Sequence, residues 1–218
     1  MTAFDLDCIK TAAAVIAATS AIFAAFQLRI ARVNLELQQR ARLDTHERAR
    51  REKAVSLIRE FCASISPAWS AVRQLVEQLD DDCLRALDRG DPMEVKAALV
   101  IFVKTALPQD LAAKAPADST VVWQLDRQQV AHLRTIAFSY LNFVEMVCAA
   151  AYHDVADRTI ILQQMKSFYN PSERRTLMEH LRNVSGGREV FPCIYTFVDE
   201  LNARTIAPPA PIAAEVVS

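Results

Sequence analysis

Two polar residues, Asn142 and Glu145, interrupt the most convincing apolar helix of the C-terminal part of the chain. They stand three residues apart, so their side chains project from one side of that helix. A buried carboxylate needs partners, because an unpaired charge in a protein interior is costly. Candidate partners for Glu145 are Arg134, Tyr152 and Arg158. The pair therefore forms either a polar lock between helices or a ligand site.

An arginine and a histidine, Arg127 and His132, occupy the same predicted helix, and Arg175 and His180 repeat their spacing. This spacing resembles the Arg-x4-6-His motif of HEPN-type helical ribonucleases, in which histidine acts as acid or base and arginine steadies the phosphate. The resemblance implies a membrane-tethered ribonuclease with Arg127 and His132 as its catalytic residues. With 19 arginines and four histidines, random placement predicts about one such match, so the motif is an alternative and not the leading interpretation.

Metal chemistry has two weak candidates in the sequence. His153-Asp154, with His132 upstream and Asp199 downstream, is similar in outline to the ligands of metal-dependent His-Asp phosphohydrolases, but it lacks their surrounding pattern. The acidic run at residues 80–82 has no second acidic cluster to complete a magnesium site, so we interpret it as a helix boundary. We predict no metal and no cofactor.

Composition favours an all-α protein with one domain. Only three glycines occur in 218 residues, and they fall between predicted helices, so glycine turns of hairpins and glycine-rich phosphate loops are missing. The five cysteines are widely spread without a C-x-x-C pair and are predicted to be reduced core thiols. A net charge of -1 gives no strong signal for nucleic-acid binding.

An uncharged stretch near the N-terminus, Thr11 to Leu28, predicts a membrane anchor. With its flanks it approaches the ~20 residues that cross a bilayer core, although its many alanines limit the insertion free energy to about -3 kcal/mol. A cleaved signal peptide is disfavoured because acidic residues precede the single Lys10. A buried helix of a soluble core would be shorter or carry a polar stripe. We predict a transmembrane helix over residues 9–30.

Flanking charge sets the expected orientation. One basic residue precedes the span, whereas eight follow it before the domain, at Arg29, Arg32, Arg40, Arg42, Arg48, Arg50, Arg51 and Lys53. The positive-inside rule then places residues 1–8 outside as a short extracytoplasmic tail and the C-terminal domain in the cytoplasm. Arg29 and Arg32 are expected to meet lipid headgroups. The excess of arginine over lysine and the abundant alanine are compatible with a bacterial source, so we expect a single-pass protein of the bacterial inner membrane.

Four alanines recur every four residues within the span, at Ala13, Ala17, Ala21 and Ala25. Such a small-residue ridge lets two helices approach closely in lipid and predicts a homo-oligomer formed through the span. An alanine-rich genome would produce the same pattern without any association.

Neither glycine nor proline occurs from Asp5 to Ile65, so the sequence allows one helix of about 90 Å. Residues 31–53 are predicted to be a charged, solvated stalk. A coiled coil could start at Ile30, Val33 and Leu37. Asp44 and Arg48 then fall where its seam should continue, which limits pairing to two heptads at most.

A helical domain of about six helices is predicted over residues 54–206. Ser66 before Pro67 predicts a cap and a helix that reaches Leu79, and the Asp91-Pro92-x-Glu94 pattern predicts a capping box with a helix to about Ala106. Residues 107–120 are predicted to be a long connection, with Asp118 and Ser119 capping a central helix over residues 120–152. Later helices are predicted from Asp157 to about Tyr169, from Asn170 to just before Gly186, and from Phe191 to Arg204. The proline-rich tail, residues 207–218, is predicted to be disordered.

The run from Tyr140 to Glu145 contains an Asn-Phe-x-Glu motif, and an acidic turn and the helix from Asp157 follow it. These features resemble an uncharacterised bacterial family of single-span, membrane-anchored helical proteins, over about Ile9 to Asn183. The resemblance implies an anchor, a charged stalk and a helical domain, but no activity. We therefore expect a non-enzymatic adaptor or regulator that meets the lipid bilayer and an unknown cytoplasmic protein partner.

Overall fold

The computed structural model describes the backbone of residues 3–116 and 122–206 and the side chains of residues 26–116 and 122–203. The chain divides into two units, residues 1–49 and 50–218. It is mostly helical, with 77% helix and 5% strand, which confirms the predicted helical bundle. The predicted short tail, most of the predicted span with its alanine ridge, the caps Asp118 and Ser119 and the proline-rich tail lie outside the described side chains.

A single helix, α1 (Ala3–Ser64), forms the first unit and supplies the first helix of the second. Its 62 residues contain no glycine or proline, so no residue removes a backbone donor or favours a bend. Within the described part of the first unit its apolar side chains are exposed, among them Phe26, Leu28, Ile30, Val33, Leu35, Leu37 and Leu43. Arg32 and Glu36 form an ion pair at 3.5 Å along the helix surface.

Eight further helices lie within the described residues of the second unit. They are α2 (Pro67–Val76), α3 (Asp81–Arg89), α4 (Val100–Ala106), α5 (Gln109–Ala112), α6 (Arg127–Tyr152), α7 (Arg158–Met165), α8 (Glu179–Val184) and α9 (Pro192–Ile206). Short 3-10 turns cover Ala97–Leu99, Lys166–Phe168, Pro171–Glu173 and Gly187–Glu189. Two short strands, β1 (Met93–Val95) and β2 (Trp123–Leu125), form an antiparallel pair.

Two predicted helix starts, at Ser66 and Asp157, are confirmed by hydrogen bonds from the first helical turn, and a third start, at Asp80, has the same arrangement. The Ser66 hydroxyl accepts from the Trp69 N–H at 3.1 Å, the Asp80 carboxylate accepts from the Cys83 N–H at 3.0 Å, and Asp157 caps α7 in the same way. Each cap satisfies a backbone donor that the helix itself leaves unpaired. The acidic run at residues 80–82 is thus a helix start.

The predicted helix from Pro92 to Ala106 is wrong in its first half. Met93 and Val95 are buried while Glu94 between them is exposed, which is the period of a strand and not of a helix. These residues pair with β2, so that Met93 faces Leu125 and Val95 faces Trp123. Helical structure resumes only in the 3-10 turn at Ala97 and in α4. Tertiary pairing has overridden the local capping pattern, and the strands were not predicted.

Other predicted helix boundaries differ from those of the structure by part of a helix. The central helix starts later than predicted, because β2 precedes it and Asp126 with Gln129 forms the capping box of α6. The predicted connection before it contains the one-turn helix α5. The predicted helix from Asn170 is wrong over most of its length. Asn170 and Arg175 form an isolated bridge, and only α8 remains helical.

Helix α6 lies at the centre of the domain and packs against α2, α3, α7 and α9. Ten of its residues are buried, including Val130, Leu133, Leu141, Val144 and Val147, as the predicted apolar face requires. In the described part of the chain, α6 is the one helix whose length and apolar composition would allow it to cross a bilayer. Core helices of soluble domains pass the same test, and the neighbours of α6 are protein elements.

Helix α1 is joined to the turn between α6 and α7 at its entry into the second unit. The Arg50 carbonyl accepts a hydrogen bond from the Asp157 N–H at 3.0 Å, and the Arg50 guanidinium donates to Asp154 at 2.7 Å. Asp154 is therefore an ion-pair partner of α1, and its backbone adopts a positive φ of 57°.

Replacing Leu133, which is fully buried, with alanine should lower the free energy of unfolding by about 2–5 kcal/mol, because apolar contacts are lost and a cavity remains. Chemical denaturation of the full chain in nonionic detergent, followed by circular dichroism, measures the change. Met146→Ala is the matched control on the exposed side of α6 and should change the value by less than about 0.5 kcal/mol. Equal effects would contradict this assignment of the two faces.

Candidate functional site

A cavity of about 290 Å³ opens beside α2 and α6 in the second unit. Its lining combines aromatic, hydroxyl and guanidinium groups, from Ile65, Trp69, Ser70, Arg73, Tyr140, Ser167, Phe168 and Arg175. A mostly apolar concavity with a few convergent polar groups is the usual form of a small-molecule site. We call it the Arg73 cavity.

The aromatic wall of the Arg73 cavity is fixed from behind. The rings of Trp69 and Tyr140 meet edge to face, with centroids 5.6 Å apart. The buried ring of Phe61 lies 6.2 Å from the Tyr140 ring in a tilted arrangement and 4.9 Å from Phe168, edge to face. Edge-to-face pairs align the positive ring edge with the negative ring face. The Ser66 cap places Trp69 in the first turn of α2, so the wall belongs to rigid elements.

Two arginines in the cavity differ in their partners. Arg175 donates to the Ser167 carbonyl at 2.8 Å and forms an ion pair with Glu173, so most of its charge is compensated. Arg73 is half-buried on α2, and its guanidinium has no hydrogen-bond or ion-pair partner in the described part of the chain. The balance of these three side chains leaves about one positive charge at the cavity.

Tyr140 contributes a polar group that the fold does not satisfy. The residue is 4% exposed, and its hydroxyl has no hydrogen-bond partner among the described residues. Burial raises the pKa of Tyr140 to about 12, so the hydroxyl stays protonated at physiological pH. Buried hydroxyls nearly always have partners, and one without a partner destabilises the folded state.

The segment that presents Arg175 is held in an unusual backbone conformation. Arg174, Leu177 and Met178 have positive φ values of 55°, 56° and 54°, which residues with a Cβ seldom adopt and which cost about 1–3 kcal/mol each. The Glu77 carboxylate stabilises this conformation by accepting from the Thr176 N–H and hydroxyl and from the Met178 N–H, at 2.7–3.2 Å.

A buried arginine, Arg182, holds the same segment from α8. It is 1% exposed and donates to the carbonyls of Leu177 at 2.9 Å and Thr176 at 3.1 Å. Its guanidinium lies 4.5 Å from the centre of the Tyr195 ring, in a cation–π arrangement. Loss of hydration lowers the pKa of Arg182. Residues 176–178 are thus held by Glu77 and Arg182, while the Arg174 and Arg175 N–H groups donate to the carbonyls of Pro171 and Asn170.

Asn142 and Glu145, the polar pair identified in the sequence, lie in different environments in the structure. The two Glu145 oxygens accept from the N–H groups of Cys193 at 2.8 Å and Ile194 at 2.9 Å. These donors belong to the first turn of α9, so Glu145 joins α6 to the N-terminus of another helix, where negative charge is favourable. Asn142 is exposed.

The three expected partners of Glu145 contact other groups. The Tyr152 hydroxyl donates to Glu200 at 3.0 Å, and Arg158 donates to the same carboxylate at 2.6 Å. Arg134 donates to the Asp88 carbonyl at 2.6 Å. Tyr152, Arg158 and Glu200 therefore form a second link between the C-terminal part of α6, α7 and α9.

The alternative ribonuclease pair lies on one helix but not on one side of it. Arg127 is exposed at the start of α6, 3.9 Å from Asp91, and His132 is half-buried one turn later. Five residues along an α-helix turn the side chain by about 140° around the axis. In the second match, Arg175 lines the Arg73 cavity while His180 is exposed on α8.

Two of the residues proposed as metal ligands form ion pairs with arginines. Asp154 pairs with Arg50, and Asp199 pairs with Arg188 at 2.6 Å. Within the described residues no group of three or more histidine, cysteine, aspartate or glutamate side chains is arranged to hold a metal ion.

The cysteines with described side chains are free thiols, but only Cys148 is buried. Cys62 is exposed on α1, which contradicts the prediction of core thiols for that residue. Burial raises the pKa of Cys83 and of Cys193 to about 11, so both remain protonated and weakly nucleophilic at neutral pH. Cys8 lies outside the described side chains.

The Arg73 cavity was missed in the sequence because its residues share no motif. Trp69 and Arg73 are one turn apart on α2, Tyr140 belongs to the apolar face of α6, and Arg175 lies in a segment predicted to be helical. The one available signal was Tyr140 itself, a hydroxyl within a face expected to be buried.

Comparison of the chain with protein-family models, with curated proteins and with solved structures finds no match.

Replacing Glu145 with glutamine should lower the free energy of unfolding by about 1–3 kcal/mol, because the charged acceptor of two α9 donors is lost. Asn142→Ala, one turn away and exposed, should leave it within about 0.5 kcal/mol. Denaturant titration of both variants measures the difference. If the two variants lose the same stability, the link from α6 to α9 is not the role of Glu145.

Tyr140→Phe should raise the free energy of unfolding by about 1 kcal/mol at neutral pH, because it removes a buried hydroxyl that has no partner. The folded chain holds the Tyr140 proton to about pH 12, whereas an unfolded tyrosine releases it near pH ~10. The wild type should therefore lose stability between these values, and the variant should lose less. Tyr152→Phe removes a hydroxyl that has a partner and should be destabilising. Thermal unfolding at several pH values tests both signs.

Proposed function

We propose that this protein is a membrane-anchored, non-enzymatic regulator or adaptor, whose helical domain works in the bacterial cytoplasm. The anchor is the segment over residues 9–30, with residues 1–8 outside and a single crossing of the inner membrane. The resemblance to the single-span bacterial family supports the same arrangement.

The observation that carries the proposal is the exposure of apolar side chains at the C-terminal end of the predicted span. Phe26 is 60%, Leu28 72% and Ile30 46% exposed, on a helix that begins at Ala3 and has no break before Ser64. Large apolar side chains on both sides of a helix are unfavourable in water, whereas lipid would cover them. Arg29 and Arg32 are positioned in the sequence to meet the headgroups.

The polar side chains of the domain support a binding role in preference to catalysis. Glu145 holds α9, Glu77 holds residues 176–178, and Glu200 joins Tyr152 to Arg158. Carboxylates engaged in this way stabilise a fixed structure and are poorly placed to exchange protons with a substrate. A regulator requires such a fixed surface, to which a cytoplasmic protein partner binds. Self-association through the alanine ridge would bring two domains together.

Cell fractionation tests the anchor. The full chain should sediment with membranes in the absence of detergent and should be extracted by nonionic detergent. An Ile16→Arg, Ile22→Arg double variant should move to the supernatant, because each arginine at the centre of a span costs about 2.5–3.5 kcal/mol, which exceeds the small insertion energy of this segment. Val33→Arg, beyond the span, is the matched control and should stay with the membrane. A wild-type chain that remains soluble would overturn the proposal.

A ribonuclease assay tests the non-enzymatic part. The purified full chain should not cleave single-stranded RNA, and His132→Ala should behave as the wild type does. If the wild type cleaves RNA and both His132→Ala and Arg127→Ala abolish the cleavage, the proposal of a regulator is wrong and that of a tethered ribonuclease takes its place.

A further inference from the structure

We propose that the Arg73 cavity binds a small organic monoanion with an aromatic or other apolar group, in which a carboxylate meets Arg73. This inference deepens the proposed regulatory function and rests on it for its biological meaning, because the ligand would be the signal to which the domain responds. The binding itself depends only on the described residues of the second unit.

Charge selects the anion. Arg73 has no partner among the described residues, whereas Arg175 is compensated by Glu173. The cavity therefore offers about one net positive charge, which matches a carboxylate. A phosphate dianion would carry a second charge that no further cation in the lining compensates. An arginine fork fits the two oxygens of a carboxylate and can form two parallel hydrogen bonds with them.

The size and the apolar side chains of the cavity determine which group can accompany the carboxylate of the ligand. A volume of about 290 Å³ has room for about ten water-sized groups, which corresponds to a molecule of about ten non-hydrogen atoms. Trp69, Phe168 and Ile65 supply an apolar lining, against which an aromatic ring can pack edge to face. Tyr140 also lines the cavity, and its hydroxyl is buried without a partner in the described structure.

The backbone of residues 174–178 adds a second, independent argument. Three non-glycine residues there have positive φ, and the conformation persists because Glu77 and Arg182 hold it. Conformations of this kind cluster at ligand-binding sites, where they fix a side chain in advance. Here the fixed segment contributes Arg175 to the cavity lining.

The two tryptophans of the chain allow a direct test. Trp69 lines the cavity, and Trp123 is buried in β2, so a 15N-labelled full chain in nonionic detergent gives one indole N–H signal from each side chain. Titration with phenylacetate should shift the Trp69 signal and saturate it in the millimolar range, as expected for so small a ligand, and should leave the Trp123 signal in place. Phenylacetamide, the uncharged analogue, and inorganic phosphate should bind at least about tenfold more weakly.

Variants assign the contacts. Arg73→Met should weaken phenylacetate binding by at least about tenfold, whereas Arg127→Met, which removes a charge outside the cavity, should leave it unchanged. An unchanged Trp123 signal shows that each variant is folded.

Several results would overturn the inference. These are equal binding of phenylacetate and phenylacetamide, tighter binding of phosphate, linear shifts of both indole signals without saturation, or unchanged binding in Arg73→Met. Because the titration uses detergent-solubilised chain, its failure would leave the fractionation result standing, and failure of the anchor would leave the titration standing.

Discussion

Burial of α6 is the constraint on which the domain depends. Ten of its residues are buried, and helices α2, α3, α7 and α9 are arranged around it. The buried face of such a helix can carry very few polar groups, because each one must find a partner without water. The polar groups on α6 therefore reveal what the arrangement permits. Glu145 finds two backbone donors on α9, and Tyr140 finds none.

Glu145 and Tyr140 show the two possible outcomes for a polar group on this helix, with and without a partner. The carboxylate of Glu145 replaces its lost hydration with the unpaired donors of a helix start, so burial and helix capping reinforce each other. The hydroxyl of Tyr140 lies beside a cavity and keeps its bonding capacity unused. Glu77 and Arg182 extend the first pattern to residues 176–178, where charged groups satisfy an irregular backbone. Three buried polar atoms remain without a partner in the described part of the chain: Arg50 Nε, the Tyr140 hydroxyl and Arg182 Nη1.

Local patterns predicted much of this fold and little of its site. Caps at Ser66, Asp80 and Asp157, and the apolar face of α6, depend on neighbouring residues, so the sequence contained them. Strand β1 depends on pairing with β2, some 30 residues away, and no local rule contains that partner. The left-handed residues near Arg175 lack the glycine that usually marks them. The Arg73 cavity joins four separate segments, and its formation required their packing.

The contact between Arg50 and the turn after α6 bears on where the domain can be cut. The sequence suggested a boundary at Lys53, where the charged stalk meets the first apolar residues. A fragment trimmed there would lose the Arg50 carbonyl that receives the Asp157 N–H, and with it the ion pair to Asp154. A fragment designed to fold alone should therefore retain the last helical turn of the stalk, including Arg50. The N-terminal limit of such a fragment follows from these hydrogen bonds and not from the hydrophobic pattern.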